Sequence, residues 1–356
     1  MGTMFGLILL TSAGATMGSP MFGLILLASA AAAPCDIYLA GGTPCVAAHS
    51  MVRQLYDAYA GPLYRVRRGA DNATLDVGVG GVARQDEFCA PSLCRVVRIF
   101  DQSSRENDLV VGIAGSSGGR RPDAGVVANR SLASAAGRPA YAAVFEGGEG
   151  YRTSGATGVA TGDAPETVYA VLSGAYYNDA CCFDYGNAYP DARDHGAGTM
   201  EAIYFGNKTK EKWSRGAGAG PWVQADLESG LWAGNESVNE RNVPVNSRFV
   251  TAVLKGRRGG FVLKSGDATR GALRTLYDGA RPAGYETMSL GGAVVLGTGG
   301  DNSNGGVGAF YEGAITAGFA SDETDAAVQA DVVAAGYAQQ HHATYRNLRS
   351  QGATLA

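Results

Sequence analysis

Asp226 and Glu228, two acids at i and i+2 in the apolar stretch Pro221–Trp232 (PWVQADLESGLW), are the first residues whose types and spacing could do chemistry. In a strand, side chains two apart point to one face, so both carboxyls would share a half-buried surface with Trp222. Adjacent acids on such a surface are costly unless paired, protonated or used. A third acid, Asp301, lies in the Gly-rich turn LGTGGDNSNGG, the kind of strand-end loop that holds reactive groups against a cleft. Two carboxyls flanking a glycosidic bond can hydrolyse it: at about 5 Å apart one acts as nucleophile, and at roughly 6.5–9.5 Å a water fits between them. Spacing alone does not choose the pair. Asp184, Glu201, Glu286 and Glu312 are rivals, Glu201 the strongest because it opens the aromatic run of MEAIYFG.

Cys181 and Cys182, in NDACCFDYGN, form a second unusual pair. A bridge between neighbours closes a tight ring whose flat, polarisable sulfur face could support the apolar face of a sugar; two buried cysteines without that role are the bland alternative. The chain has 6 cysteines. Their local spacing favours Cys35–Cys45, Cys89–Cys94 and Cys181–Cys182, a set that suits an oxidising compartment. N-x-S/T sequons at Asn72, Asn129, Asn207 and Asn235 also fit a secreted glycoprotein.

These residues need elements to position them. Gly is abundant at 53 residues, only 17% of residues are charged, and the hydrophobic content of 46% is ample for a core. Short β-rich runs alternate with Gly, Asn and Asp, which predicts an all-β protein, a sandwich or barrel with short peripheral helices. Candidate strands are Val168–Leu172, Glu201–Phe205, Trp222–Leu227, Phe249–Lys255, Gly260–Leu263, Ala293–Leu296 and Gly308–Thr316, with a further strand in Arg95–Ser104 that runs into a polar turn. Val46–Tyr59 reads as a helix, with Val52, Leu55, Tyr56 and Tyr59 at helical spacing and His49 on it as a packed or solvated side chain. Asp71–Val82 reads as a Gly-rich loop, and Gly115–Pro122 as a solvated basic one. Ser321 is placed to cap a last helix over about Asp322–Tyr337.

Residues 1–33 read as a signal peptide: MFGLILL occurs twice and the second copy runs into ASAAAAP, a small-residue cleavage pattern. Residues 34–338 form the expected domain and 339–356 a polar tail with His341 and His342, which lack the partners of a metal site. The net charge of −4 gives no basic stripe for nucleic acid. After the leader no apolar run is long enough to cross a membrane. No metal or other cofactor is expected.

CDIYLAGGTPCVAAHS, FDQSSRENDL, YNDACCFDYGNA, MEAIYFGN, GPWVQADLESGL and GGDNSNGGVGAFYEGAITAG occur in order from Cys35 to Tyr337. Together they resemble the catalytic domain of the glycoside hydrolase family 54 α-L-arabinofuranosidases. The resemblance implies a two-sheet β-sandwich of the jelly-roll, concanavalin A-like type. It implies release of terminal α-L-arabinofuranosyl units from arabinoxylan or arabinan with retention of configuration, by a monomer without cofactor. Carried over position by position, Glu228 matches the nucleophile and Asp301 the general acid/base, whose proton affinity should be raised by an apolar wall and by Glu228. Asp226, Cys181, Cys182, Trp213 and Gly300 match the sugar pocket. Ser229 stands where the family usually has Asn, and the loop around Trp213 (NKTKEKWSRGAGAG) and the segment 110–140 depart in length. The arabinose-binding β-trefoil that often follows this domain in the family is not expected here. The alternatives to weigh are a β-D-galactofuranosidase and a lectin-like sandwich that binds sugar without cleaving it.

Overall fold

The computed structural model describes residues 32–117, 122–210 and 213–340. The leader, apart from its last two residues, part of the basic loop and the His341–His342 tail lie outside these.

Two antiparallel sheets carry the chain. The first has the strand order Cys45–Ser50, Val307–Ala317, Glu166–Ser173, Phe249–Arg257, Gly260–Asp267 and Arg270–Ala280, with Ala143–Glu146 also paired to Val307–Ala317. The second has ten strands, in the order Leu231–Trp232, Trp222–Asp226, Glu201–Gly206, Asp184–Ala188, Ala293–Leu296, Tyr151–Thr153, Leu109–Val111, Cys94–Ile99, Tyr64–Arg68 and Thr74–Val77. Glu201–Gly206 packs against Glu166–Ser173 and Phe249–Arg257, and Trp222–Asp226 against Gly260–Asp267, which makes the fold a two-sheet β-sandwich as expected. Its core holds Val168, Leu254, Ile203, Val223, Phe205 and Tyr185, all buried.

Every residue of Glu166–Ser173 is buried, on both faces of its strand. One face meets the other sheet. The opposite face lies under the helices: Tyr169 stacks at 5.9 Å on Tyr38 of the helix Pro34–Ala40. That helix in turn packs on Asp322–Ala334, where the Ser321 hydroxyl accepts from the Thr324 amide as the sequence predicts. The third helix is Val82–Cys89, clipped to the second sheet by Cys89–Cys94. Cys35–Cys45 and Cys181–Cys182 are bridged as well.

Seven of the predicted strands stand where the apolar runs put them, and Ala293–Leu296 keeps its bounds. Three expectations are corrected. Val46–Tyr59 is not a helix: Cys45–Ser50 is a strand paired with Val307–Ala317, His49 opposite Gly313, and residues 51–59 are turns. A short apolar run satisfies either period, and here the ladder partner decides. His49 is fully buried, its Nδ1 3.0 Å from the Tyr185 hydroxyl and its Nε2 2.9 Å from the Asn107 carbonyl. Residues 71–82 are not all loop, because Thr74–Val77 adds an edge strand beside Tyr64–Arg68. The strand at 222 stops at Asp226, so Glu228 lies beyond it. Arg270–Ala280, an exposed strand rich in polar residues, carries no hydrophobic signal that would reveal it.

Candidate active site

Strand alternation delivers the first carboxyls. Ala225 and Tyr185 face the core, so their neighbours Asp226 and Asp184 project from the other face of the second sheet. Asp226 ends its strand. After Leu227 the chain turns sharply, with Glu228 at φ 61° and Ser229 at φ 57°, the left-handed region that side-chain-bearing residues rarely occupy. The turn is held from all sides. The Glu228 amide donates to Asp226 Oδ1 (3.0 Å), the Leu227 amide to the Gly230 carbonyl (3.2 Å), and the Tyr285 hydroxyl to the Glu228 carbonyl (3.0 Å). Strain held by that many contacts aims the Glu228 side chain into the site rather than along the Asp226 face. The expected common face of Trp222, Asp226 and Glu228 is thus replaced: Trp222 and Asp226 share it, but Glu228 reaches the site from a turn.

Asp301 comes from the loop that follows Ala293–Leu296. Its Oδ1 accepts from the amide (2.9 Å) and hydroxyl (2.5 Å) of Ser303, and the Gly299 amide donates to the Ser303 carbonyl (2.8 Å), which closes the loop on itself. The same loop is tied to the cysteine pair: the Cys182 amide donates to the Ser303 carbonyl (3.0 Å) and the Gly305 amide to the Cys181 carbonyl (2.9 Å). Gly300 has no room for a side chain, since a methyl there would overlap Glu228 Oε2; a methyl on Gly299 would meet Cys182 Sγ and Asp301 Oδ1 at 3.3 and 3.4 Å. The Gly299–Gly300 pair therefore lets two carboxyls from distant parts of the chain approach one backbone segment.

The result is a cavity of about 260 Å³ lined by Cys181, Cys182, Trp213, Asp226, Glu228 and Asp301. Ser229 and Gly300 also line it, so the structure brings together all eight site residues expected from the sequence. The disulfide packs on Tyr204 and Leu231, and Trp213 against the same cluster. Asp226 Oδ2 lies 3.5 Å from Cys182 Sγ.

Six lining residues were not expected, Gly230 and Gly299 among them. Asp194, from the loop DARDHG, accepts from the Ser229 hydroxyl (3.3 Å). Lys210 holds its ammonium 4.9 Å from the Trp213 ring centroid. Leu231 and Ser303 complete the wall. Asp184, a rival on sequence, is instead a companion: it is 1% exposed and its charge couples to that of Asp226. The signal that could have found it is its place two residues after Cys182 and beside the inward Tyr185. The other rivals are elsewhere. Glu201 is buried and accepts from Arg281 Nη1 (2.8 Å), Glu312 is buried and gripped by Arg53, and Glu286 is exposed. Of the sequons, Asn72, Asn129 and Asn235 are exposed and Asn207 is half-buried.

Crowding these acids shifts their protons. Burial first, then the Asp226, Asp301 and Asp194 charges, push Glu228 up to about 9, while Arg152 pulls it down. Burial pushes Asp226 up to about 7 against the Glu228 amide and the Asp184 hydrogen bond, which favour its charged form. Burial and then Asp226 push Asp184 well up, so the proton between those two rests on Asp184. Chemically the site offers a carboxyl that holds its proton, neighbouring carboxyls able to accept from a hydroxyl, and a sulfur–tryptophan wall for an apolar face.

Residues 34–338 match the family described as Alpha-L-arabinofuranosidase B, catalytic. An alpha-L-arabinofuranosidase of Hypocrea jecorina is 51% identical over an alignment of 323 residues that covers 86% of this chain and 63% of that protein. The chain is similar in structure to a glycoside hydrolase family 54 alpha-L-arabinofuranosidase soaked with a cyclic sulfate inhibitor, with a TM-score of 0.82 and 45% identity over 86% of this chain and 66% of that one. An arabinofuranosidase complexed with arabinofuranosyl-alpha-1,2-xylobiose gives the same TM-score of 0.82 and identity of 45%, over the same shares of the two chains, 86% and 66%. The chain spans 63% of the length of the curated relatives it matches.

Proposed function

Because the chain belongs to the alpha-L-arabinofuranosidase B catalytic family, we propose that it is a retaining exo-glycosidase that releases terminal α-L-arabinofuranosyl units from arabinose-bearing polysaccharides. The observation that carries this reading is the convergence of Glu228, Asp301, Asp226 and the Cys181–Cys182 bridge on one small cavity in a fold otherwise shared with arabinofuranosidases. A cavity of about 260 Å³ suits one furanose ring better than a polysaccharide chain, which favours removal of end groups.

The proposed reaction is a double displacement. Glu228 carboxylate attacks the anomeric carbon while Asp301 gives its proton to the leaving oxygen, which breaks the glycosidic bond and forms a glycosyl ester on Glu228. Asp301, now a carboxylate, takes a proton from water as the water attacks the same carbon; arabinose leaves and both acids are restored. Asp226 accepts from a ring hydroxyl, and the disulfide and Trp213 hold the ring. The reaction needs Glu228 as its carboxylate and Asp301 with its proton. A Glu228 raised to about 9 is mostly protonated below that pH, yet its carboxylate is correspondingly basic and a better nucleophile. The three disulfides and the exposed sequons support work outside the cell.

A hydrolysis screen on aryl glycosides tests the reading. Turnover should be highest on the α-L-arabinofuranoside, the first-formed sugar should keep its configuration, and Glu228→Ala and Asp301→Ala should each abolish activity. Faster cleavage of the β-D-galactofuranoside would assign the substrate differently, an inverted product would remove the ester intermediate, and arabinose binding without hydrolysis at any pH would make the protein a lectin.

A further inference from the structure

We propose that Arg152 is a positioning residue for this reaction: it braces the Gly299–Gly300 segment that places Asp301 beside Glu228, and it supplies a buried positive charge behind the carboxyl pair. The inference rests on the assignment of that pair above.

Arg152 is the middle residue of the strand Tyr151–Thr153, between Val110 and Val295 on its two neighbours. Tyr151 faces the core, where its hydroxyl donates to the Val96 carbonyl, so Arg152 points to the face that carries the site. It is 2% exposed. Its Nη1 donates to the Tyr189 carbonyl (2.6 Å), and its Nη2 to the carbonyls of Gly299 (3.3 Å) and Gly300. The planar fork therefore spans two loops and fixes both peptides that precede Asp301, a task for which a lysine ammonium has the wrong shape.

Two other buried arginines set the contrast. Arg53 and Arg281 each grip a carboxylate, Glu312 and Glu201. Among the described residues Arg152 makes no ion pair, and its Nε has no hydrogen-bond partner. Backbone carbonyls solvate it without cancelling its charge. The acids that face it come from four separate segments: Asp123, Glu228, Asp191 and Asp301. Asp123 adds a second brace, accepting from the Asn304 side chain (2.6 Å) in the acid-bearing loop. A guanidinium left unneutralised in a poorly hydrated site favours the charged forms of carboxylates around it, Glu228 among them. It thereby offsets part of the burial cost and the charge repulsion that keep Glu228 protonated, and raises the population of its carboxylate.

The test is the pH profile of kcat/KM on 4-nitrophenyl α-L-arabinofuranoside for the wild type, Arg152→Met and Arg152→Lys, with Glu228→Gln and Asp301→Asn in parallel and melting curves for all. Arg152→Met should move both limbs toward higher pH by about one unit or more and lower kcat at least tenfold. Arg152→Lys keeps the charge and loses the fork, so its limbs should stay near those of the wild type while kcat still falls. Limbs unmoved in a folded Arg152→Met, with both carboxyl variants dead, overturn the electrostatic role of Arg152 alone. Undiminished kcat in Arg152→Lys overturns the brace, and decides the matter even where Arg152→Met does not fold. Full turnover in Glu228→Gln or Asp301→Asn overturns the assignment of the pair and the role of Arg152 with it.

Discussion

Beneath the helix Asp322–Ala334, buried acids meet cations; in the cavity on the other sheet, buried acids meet one another. In the first region Arg53 holds Glu312 at 2.6 Å and Asp331 at 2.8 Å, and Asp325 lies 2.7 and 2.6 Å from the ammonium groups of Lys255 and Lys264. In the second, Asp184, Asp226, Glu228 and Asp301 crowd together, and the nearby buried cation, Arg152, spends its hydrogen bonds on carbonyls. A paired buried acid is a structural part, and removing its partner leaves a charge that water cannot reach. A cluster with surplus negative charge must hold protons, which costs stability and supplies an acid and a nucleophile. The difference suggests that mutations in the two regions should have opposite signatures.

The largest effect should come from Glu228→Gln. Turnover should fall by roughly 10⁴-fold or more, yet the variant should melt several degrees above the wild type at pH 8. The sign follows from linkage. Glu228 titrates near 9 in the fold against an ordinary value of 4.5, so across that window the native state holds a proton that the unfolded chain has released. Stability then falls as pH rises through the window, and Gln is spared the loss. The gap between the two melting curves should close near pH 4. A variant that is less stable than the wild type at pH 8 would break the contrast.

Arg53→Met is the mirror experiment. It strands Glu312 and Asp331 in the interior and should cost about 3–5 kcal/mol in a denaturant titration, while the folded fraction keeps its kcat and KM. A loss of catalysis in folded protein would show that the two regions are not separable.

Replacing Cys181 and Cys182 together by Ser sharpens the comparison within the cavity. The bridge spans a sequence separation of 1, so it closes almost no loop and should contribute little through chain entropy. Its loss should raise KM or lower kcat by about tenfold or more through a less rigid pocket wall, with a stability change on the order of 1 kcal/mol, a few degrees at this size. Full activity in the double variant would remove the bridge from the site.

Asp184→Asn should do least. Burial and the neighbouring Asp226 already keep Asp184 protonated, and a neutral amide of the same shape replaces it without changing the charge. Turnover should stay within about threefold, and stability should rise slightly above pH 7. A loss comparable to that of Asp226→Ala would mean that the ionised form of Asp184 is used.

The sandwich is legible in the chain wherever an apolar run is long enough to be buried on both faces, as in Val168–Leu172 and Phe249–Lys255. The local disulfides and the Ser321 cap are legible for the same reason: each depends on residues only a few positions apart. Cys45–Ser50 was misread because its apolar residues fit two periods, and its strand partner lies more than two hundred residues away. Residues 270–280 were missed because an exposed edge strand needs no apolar alternation.

The sequence by itself determined which acids were available, and its motifs singled out Glu228 and Asp301. What it left open was the environment of each. Glu201 and Glu228 are the same side chain in similar apolar surroundings, and spacing does not choose between them. Arg281, 80 residues away in the chain, reaches Glu201 and makes it a structural ion pair. Glu228 is instead turned by a left-handed backbone toward a glycine that has no side chain to block it, among carboxyls from three other segments. Charge acts through space and not along the chain, so only the folded structure decides which acid is neutralised and which is left with chemistry to do.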